Sequence, residues 1–184
     1  MNLLKSTTAL AQAMCLQYAD PGAVAVDGTC GRGKDTLWLS EHFRKVYAFD
    51  IQKDAIESTR ELLGKAGRSN VVLIRDSHEK IKAYVGENPR VIVFNLGYLP
   101  GGEKKITTRL SSTLPALQAS LDILAVNGLI SITMYQGHQE GYDERKEILR
   151  WAAALDSAVW HCVHTNMLNQ TARPSEILWI TKKK

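Results

Sequence analysis

The chain has 184 residues, of which 45% are hydrophobic and 23% charged, and this size predicts one domain over residues 1–184. Its formal net charge of +4 permits a polyanionic partner. No apolar run approaches the roughly 20 residues of a membrane span. We also expect no export signal. Three widely spaced cysteines exclude a disulfide framework and a cysteine-based metal cluster, so we expect no metal site and reduced thiols in a cytoplasmic protein.

Apolar segments of strand length alternate with segments of helical period, which predicts βαβ units around a largely parallel sheet. In the first half of the chain the pattern predicts helices over residues 3–18, 35–42 and 54–65, a short helix ending near residue 85, and strands over residues 23–27, 46–49, 71–75 and 91–94. The N-terminal helix, within residues 1–22, is expected to pack on or near the ligand-binding side of the sheet.

In the second half, leucines recur at spacings of three or four residues from Leu110 to Leu124 and predict a further helix. Because proline is tolerated in the first turn of a helix but not in its interior, Pro115 places the start near Ser112 or Thr113. A strand at 129–134, a helix at 142–155 and an antiparallel hairpin of strands at 159–165 and 177–181 follow. The fold predicted is α/β and Rossmann-like, a mostly parallel seven-stranded sheet with a C-terminal antiparallel hairpin and helices on both faces.

The turn after the first predicted strand contains three glycines, Gly28, Gly31 and Gly33. Their Gly-x-x-Gly-x-Gly spacing differs from the Gly-x-Gly-x-x-Gly that binds a dinucleotide pyrophosphate. Asp27, just before the turn, is poorly matched to pyrophosphate because both are negatively charged, but it suits a ligand that carries an ammonium and a sulfonium group. S-adenosylmethionine is such a ligand, and Asp50 after the second strand could accept both hydrogen bonds of its ribose diol. A purely structural tight turn is the competing interpretation of the glycines.

Four strands of the predicted sheet end in polar residues, Asp27, Asp50, Asp76 and Asn95, and the carboxyl ends of parallel strands share one edge. We therefore predict a cofactor site at this edge, with Asp50 on the ribose and Asp76 near the adenine. The cofactor-binding residues predicted are Asp27, Gly28, Thr29, Gly31, Gly33, Asp35, Thr36, Asp50, Ile51, Gln52, Asp76, Ser77, His78 and Asn95.

Asn95-Leu-Gly-Tyr98, which follows the apolar run 91–94, resembles the Asn-x-x-Tyr signature of enzymes that methylate nitrogen. More of the chain is similar to small class I (Rossmann-like) methyltransferases long labelled "putative rRNA methylases", a group associated with methylation of 5-aminomethyluridine at the tRNA wobble position. The resemblance is carried by residues 26–36, 49–52, 76–78, 95–102 and 135–138 with 141. The chain departs from the usual pattern at Cys30, Arg32, Lys34 and Glu103, changes that preserve the glycines and Asp27.

The resemblance implies N-methylation of the 5-aminomethyl group of uridine or 2-thiouridine, with S-adenosylmethionine as methyl donor and the anticodon arm of tRNA as partner. It also favours a homodimer. Methylation of rRNA or of a small amine is the first alternative. An NAD-dependent oxidoreductase and a non-catalytic RNA-binding protein are more remote alternatives. The glycine spacing argues against the oxidoreductase, and the polar residues at one edge of the sheet argue against the non-catalytic protein.

A primary amine must lose a proton before it can accept a methyl group, which defines the catalytic candidates. Asn95 could orient the amine through its carbonyl oxygen, Tyr98 could wall the pocket or stack on the uracil, and His78 and His138 could accept the proton. The alternative, non-catalytic interpretations are an asparagine that caps a turn and histidines that make ordinary polar contacts. The residues predicted to bind substrate are Tyr98, Gly101, Gly102, Lys104, Lys105, Arg109, Tyr135, His138 and Arg173, with Arg32 as a further phosphate contact.

Overall fold

The computed structural model describes residue 4 and residues 6–97, 108–136, 139–170 and 174–184, with the side chains of 139 and 140 left out. The helices are α1 (Thr7–Leu16), α2 (Lys34–His42), α3 (Lys53–Lys65), α4 (Ile81–Tyr84), α5 (Leu110–Ile123) and α6 (Gln139–Ala153), and a 3-10 helix (His78–Lys80) precedes α4. The strands are β1 (Val24–Asp27), β2 (Lys45–Phe49), β3 (Val71–Ile74), β4 (Val91–Leu96), β5 (Leu129–Met134), β6 (Trp160–Thr165) and β7 (Glu176–Lys182).

The strands form one seven-stranded sheet in the order β3-β2-β1-β4-β5-β7-β6. The first five strands are parallel, whereas β7 runs antiparallel to both β5 and β6. The predicted α/β fold with a C-terminal antiparallel hairpin is therefore confirmed. The chain leaves β1 toward β2 on one side and β4 lies on the other, so the strand order reverses at β1. Ligands of open α/β sheets bind outside the carboxyl ends of the strands at such a reversal.

The central strands are hydrophobic along their whole length because helices cover both faces of the sheet. Every residue of β1 and β5 is buried, as are all of β4 except Asn95, which is partly buried. Helix α1 packs on one face, where Cys15, Leu10 and Met14 join the core that includes Trp179. In the part of the chain that the structure describes, no helix has the length and apolar character needed to cross a bilayer.

The start of α5 differs from the prediction, since the helix begins at Leu110 and encloses Pro115. A proline inside a helix removes one backbone hydrogen bond and costs about 3 kcal/mol. The same helix buries Leu117 and Leu121 completely or nearly so, and each buried leucine contributes roughly 1.5–3 kcal/mol. Packing therefore outweighs the proline, and the sequence rule placed the start of the helix too late.

Strand β4 also extends further than predicted, through Leu96 rather than ending at residue 94. Its neighbour β5 continues to Met134, so Asn95 and Leu96 pair with Thr133 and Met134 in the sheet. As a result, Asn95 lies within a strand, on a rigid element, rather than at the start of a loop. Helix α6 likewise begins earlier than predicted, at Gln139.

Candidate active site

The carboxylate of Asp27 is fully buried beneath the glycine turn. It accepts hydrogen bonds from the backbone N–H of Thr29 at 3.2 Å and from the hydroxyl of Thr36 at 2.6 Å. Burial, reinforced by the negative charge of Asp35, raises the pKa of Asp27 to about 7, against which the bonds from Thr36 and Thr29 act. Asp27 thus ties the end of β1 to the first turn of α2.

Two of the glycines are required by the packing of the protein itself. A Cβ atom at Gly28 would lie 2.2 Å from the ring of Phe94. Gly33 adopts a left-handed φ of 80°, and a Cβ atom there would lie 2.8 Å from the side chain of Thr59. Packing thus accounts for a glycine at these two positions, and the predicted contact of their backbone with a cofactor stays a prediction. The close approach of the turn to Phe94 also places its backbone directly over β4.

Asp50, at the end of β2, faces the same turn from the neighbouring strand. Its Oδ2 accepts the N–H of Gly31 at 3.0 Å, and its Oδ1 accepts the N–H of Gln52 at 2.9 Å. Burial raises the pKa of Asp50, and these two backbone bonds oppose the shift. Because each carboxylate oxygen can accept more than one donor, Asp50 still has capacity for two hydroxyl groups. This arrangement fits a ribose diol, and Ile51 beside it is exposed.

His78 lies under the glycine turn, with its Nδ1 3.1 Å from the carbonyl oxygen of Gly28. Since a carbonyl only accepts, Nδ1 carries the proton and Nε2 has a free lone pair. Nε2 is shielded from solvent and has no hydrogen-bond partner among the described residues, and the ring meets the edge of Phe94. Burial lowers the pKa of His78. The imidazole is therefore a neutral acceptor that has no donor among the described residues and that a ligand could reach only after a rearrangement.

Asp76 is engaged in a local network after β3. Its carboxylate accepts from the ammonium of Lys80 at 2.8 Å, from the hydroxyl of Tyr84 at 2.8 Å and from the N–H of Ser77 at 2.8 Å. The bonds from Lys80, Tyr84 and Ser77 lower its pKa to about 2. Both oxygens are occupied, so contact with an adenine amino group would have to be added to these bonds, and the roles predicted for Asp76 and Ser77 stay predictions.

Asn95 makes two hydrogen bonds, and a third bond holds one of its partners. Its backbone N–H donates to the Thr29 hydroxyl at 2.6 Å, and its Nδ2 donates to Oδ2 of Asp35 at 2.8 Å. The other oxygen of Asp35 accepts from Nε2 of Gln12 at 2.8 Å. The network connects α1, the glycine turn, α2 and β4, and among the described residues nothing donates to Oδ1 of Asn95.

A cavity of about 20 Å³ lies beside this network, between α1, α2 and the strands β4 and β5. Its lining includes Thr8, Gln12, Asp35, Asn95 and Thr133. A space of this size holds about one water molecule. The side of Asn95 that faces α1 is therefore closed to a nucleoside.

Tyr135 leaves β5 next to the end of β4, where its N–H donates to the carbonyl of Leu96 at 3.1 Å. A Cβ at Gly97 would lie 3.2 Å from the Cβ of Tyr135. Burial raises the pKa of the Tyr135 phenol, which shares a side-chain hydrogen bond with Thr8 of α1. Tyr135 thus lies beside the backbone that follows Asn95 and contacts α1 through Thr8, and its role in binding the substrate stays a prediction.

The remaining predicted residues divide into two groups. Arg32 in the glycine turn and Arg109 at the start of α5 are exposed. The residues that lie outside the described part of the chain are Tyr98, Gly101, Gly102, Lys104, Lys105, His138 and Arg173, and their roles stay predictions. Among the described residues there is no group of three or more metal-ligating side chains.

A buried polar cluster at the same edge was not predicted. Glu176, the first residue of β7, accepts from Gln136 at 2.9 Å and from Arg145 at 2.6 Å, and Nε2 of His164 lies 2.6 Å from it. Burial acts to raise the pKa of Glu176, but the bonds with Arg145 and His164 outweigh it and lower the pKa. Gln136 also donates to the carbonyl of Pro174 at 3.1 Å, so the cluster fixes the segment that follows Tyr135.

Glu144 of α6 is a second buried carboxylate that the sequence did not reveal. It accepts from the hydroxyls of Thr108 and Thr113, at 2.8 and 2.6 Å. The bond to Thr108 anchors the chain where it returns from the Asn95 segment. No spacing in the sequence relates residue 144 to residue 108, so only the folded chain brings them together.

Comparison with known proteins identifies a family. The family model described as "Putative rRNA methylase" matches residues 46–181. A curated relative from Arabidopsis thaliana, named tRNA (mnm(5)s(2)U34)-methyltransferase, chloroplastic, is 40% identical over an alignment that covers 92% of this chain and 67% of the relative.

Two solved structures are similar along almost their entire length. A Clostridium thermocellum protein described as a "putative rRNA-methylase" superposes with a TM-score of 0.94 at 30% identity, covering 97% of this chain and 98% of its own. A Streptococcus mutans "putative methyltransferase", solved in complex with SAH (S-adenosylhomocysteine), superposes with a TM-score of 0.92 at 36% identity, covering 97% of this chain and 99% of its own.

Proposed function

Because this chain belongs to the family described as "Putative rRNA methylase" and is a methyltransferase that uses S-adenosylmethionine, we propose that it methylates a tRNA amine. The substrate proposed is the 5-aminomethyl group of uridine or 2-thiouridine at the wobble position, and the product is the 5-methylaminomethyl nucleoside. The name of the Arabidopsis thaliana relative supports this choice. The observation that carries the proposal is Asn95, whose Nδ2 is held by Asp35 at the sheet edge and whose carbonyl oxygen has no donor among the described residues.

The cofactor would be held by the residues around the glycine turn. Asp50 would bind the ribose, and the backbone of Gly28 to Gly33 would lie against the methionine portion. A cationic ligand would favour the ionised form of the nearby Asp27. When bound, S-adenosylmethionine supplies an activated methyl group, whose bond to sulfur breaks as the amine nitrogen forms the new bond, the electron pair staying on sulfur. The protein therefore has to position the nitrogen and exclude water.

The protonation state of the amine is the main chemical obstacle. An alkylamine has a pKa of about 10 by analogy with lysine, so it is mostly protonated near neutral pH and has no lone pair. Removal from water favours the neutral amine, and a hydrogen bond to Oδ1 of Asn95 would orient it. A proton acceptor is also needed. His78 is neutral but its Nε2 is enclosed, so a role as base requires a rearrangement at the turn, and His138 stays the other candidate.

We propose that the anticodon arm lies across the edge where β1 to β5 end. Arg32 in the glycine turn and Arg109 at the start of α5 are exposed, and cations there would contact phosphates without reading the base sequence. A homodimer and a cytoplasmic location are further parts of the proposal. A dimer would supply additional surface to a catalytic domain of 184 residues.

The decisive experiment is mass spectrometry of tRNA nucleosides from cells without this enzyme. Accumulation of 5-aminomethyluridine or its 2-thio form is expected, and the purified protein should methylate that tRNA with labelled S-adenosylmethionine. Asn95→Ala should bind SAH normally and lose at least 100-fold in turnover. Asn166→Ala, an exposed asparagine outside the site, should behave as the wild type. Unchanged tRNA nucleosides together with a missing methyl group in rRNA would favour the rRNA alternative instead.

A further inference from the structure

We propose that Asp35 is a positioning residue that fixes which face of the Asn95 amide meets the substrate, and that Gln12 in turn fixes Asp35. The inference rests on the proposed methyl transfer to an amine nitrogen. It assigns Asp35 a task other than the cofactor contact that the sequence predicted for it.

The argument begins with the two ends of the Asn95 amide, which have almost the same shape and opposite hydrogen-bonding character. Only the oxygen end can accept from a substrate amine. An asparagine with no constraint would populate both orientations, and in one of them its NH2 group would oppose the N–H bonds of the amine. Asp35 removes this ambiguity because a carboxylate only accepts. Its contact with Asn95, at 2.8 Å, is possible only through Nδ2.

The position of Asp35 shows that its carboxylate is directed to this task rather than to its own helix. Asp35 lies in the first turn of α2, where acidic side chains commonly interact with the helix N-terminus. Its two oxygens instead accept from Asn95 of β4 and from Gln12 of α1. With one oxygen held on each side, the carboxylate cannot rotate away from Asn95 without losing a charge-assisted bond.

The surroundings place the substrate on the opposite side of the amide. Gln12, Asp35 and Asn95 all line the cavity beneath α1, which has a volume of about 20 Å³. A space for one water molecule cannot admit a nucleoside. The NH2 end of Asn95 is therefore directed toward the protein interior, and the oxygen end is left for the ligand.

The first test compares two isosteric substitutions in equivalent positions. Asp35→Asn introduces an NH2 group that can donate to Oδ1 of Asn95 and so permits the reversed amide. Asp54→Asn is the matched control, because Asp54 is the exposed acidic residue in the first turn of α3. We expect Asp35→Asn to lower kcat roughly 10- to 100-fold, with KM for tRNA and Kd for SAH within about twofold of wild type. Asp54→Asn should leave all three unchanged.

A charge swap gives the sharper outcome. Asn95→Asp alone places two carboxylates in contact and should inactivate the enzyme. In the double variant Asp35→Asn with Asn95→Asp, the NH2 of residue 35 donates to residue 95, which again presents an oxygen to the amine. Turnover of the double variant should exceed that of Asn95→Asp by at least tenfold. If the losses in turnover of the two single variants simply multiply in the double variant, the inference is wrong.

Gln12 is tested in the same way. Gln12→Ala should reduce kcat about 3- to 10-fold by releasing one oxygen of Asp35. Gln17→Ala, an exposed glutamine at the end of the same helix, is the control. Equal activity of these two variants would remove Gln12 from the mechanism.

A measurement without turnover separates this inference from the proposed function. In the 1H–15N spectrum, the side-chain NH2 pair that disappears in Asn95→Asp belongs to Asn95. That pair should shift in Asp35→Asn and in Gln12→Ala but stay in place in Asp54→Asn. If the wild type fails to methylate the tRNA while the pair responds, the proposed function is wrong and the positioning network stands. If the pair does not respond, or if Asp35→Asn loses SAH binding together with activity, the inference is wrong.

Discussion

The backbone N–H of Asn95 donates to the hydroxyl of Thr29 at 2.6 Å. Strand β1 ends at Asp27, opposite Val93, so β4 continues past the last backbone carbonyl that β1 could offer. The Thr29 hydroxyl takes the place of that missing acceptor. A residue of the predicted cofactor turn is thereby joined directly to the residue predicted to orient the substrate.

This bond predicts that Thr29 is important for stability as well as for turnover. Thr29→Val keeps the shape of the side chain and removes the acceptor, leaving the N–H of Asn95 unsatisfied. A buried N–H group without a hydrogen-bond partner lowers the free energy of unfolding by about 1–3 kcal/mol. We expect a loss of that size in the free energy of urea unfolding and a lower kcat. Thr29→Ser retains the hydroxyl and should lie within about 0.5 kcal/mol of wild type; equal loss in both variants would contradict the assignment.

Asp50 is expected to control affinity for the cofactor. Asp50→Ala removes the carboxylate that follows β2 and faces the turn, and with it the two hydrogen bonds proposed for the ribose diol. Each charge-assisted bond contributes about 1.5–3 kcal/mol, so Kd for SAH measured by calorimetry should rise at least 10-fold.

The same substitution also frees the N–H groups of Gly31 and Gln52, so thermal unfolding has to be measured in parallel. Asp54→Ala, on the following helix and exposed, is the control. An unchanged Kd for SAH in folded Asp50→Ala would remove Asp50 from the cofactor site.

The general architecture could be predicted from the sequence because the buried strands are long apolar runs with polar residues at their ends. Parallel strands align such ends at one edge, and the structure indeed brings Asp27, Asp50 and Asn95 to the edge where the sheet order reverses. The proline rule failed at α5, because it weighs a local backbone cost and cannot see the burial of Leu117 and Leu121.

The supporting side chains could not be predicted, since they are related only through the fold. Gln12 lies 23 positions from Asp35, and Asp35 lies 60 positions from Asn95. Nothing in the periodicity of α1 distinguishes Gln12 from a solvent-exposed glutamine such as Gln17. Glu176 directly precedes the predicted strand 177–181, and its partners come from the segment after β5, from α6 and from β6, which no single segment of sequence reveals.

The buried Asp27 predicts a specific dependence of stability on pH. Burial raises its folded-state pKa to about 7, whereas the ordinary value is 3.8. Between these values the folded state holds a proton that the unfolded state releases, so the contribution of Asp27 to stability falls as the pH rises from about 4 to 7. Asn at this position does not titrate. The stability of wild type relative to Asp27→Asn should therefore decrease by a few kcal/mol at most across this range.

Urea unfolding of both proteins at pH 5, 6, 7 and 8 measures this difference, because the other titrating groups are common to the two. The decrease should level off above pH 7, where Asp27 is ionised in both states. A difference that stays constant, or that grows with pH, would show that the folded-state pKa of Asp27 is not raised.

Glu176 is expected to behave in the opposite way, since its pKa is lowered in the folded state despite burial, by its bonds with Arg145 and His164. Its contribution to stability is present above the unfolded pKa, near 4.5, and is lost as the pH falls through the lower folded value. Glu176→Gln removes the carboxylate that pairs with Arg145, whose side chain is only 21% exposed. Breaking a largely buried pair costs about 3–5 kcal/mol, and partial exposure of Arg145 places the expected loss near the lower end.

The matched control is Glu147→Gln, which breaks the pair with Arg150 on the exposed surface of α6. Surface pairs contribute about 0–1 kcal/mol, so this variant should unfold at nearly the wild-type urea concentration. Because Gln136, Arg145 and His164 would then share one acceptor oxygen instead of two, the segment after Tyr135 is less firmly held, and Glu176→Gln should also raise KM for tRNA while Kd for SAH stays unchanged. Equal unfolding free energies for the two variants would mean that the cluster is no stronger than a surface pair, and it would then have no role in holding the segment after β5.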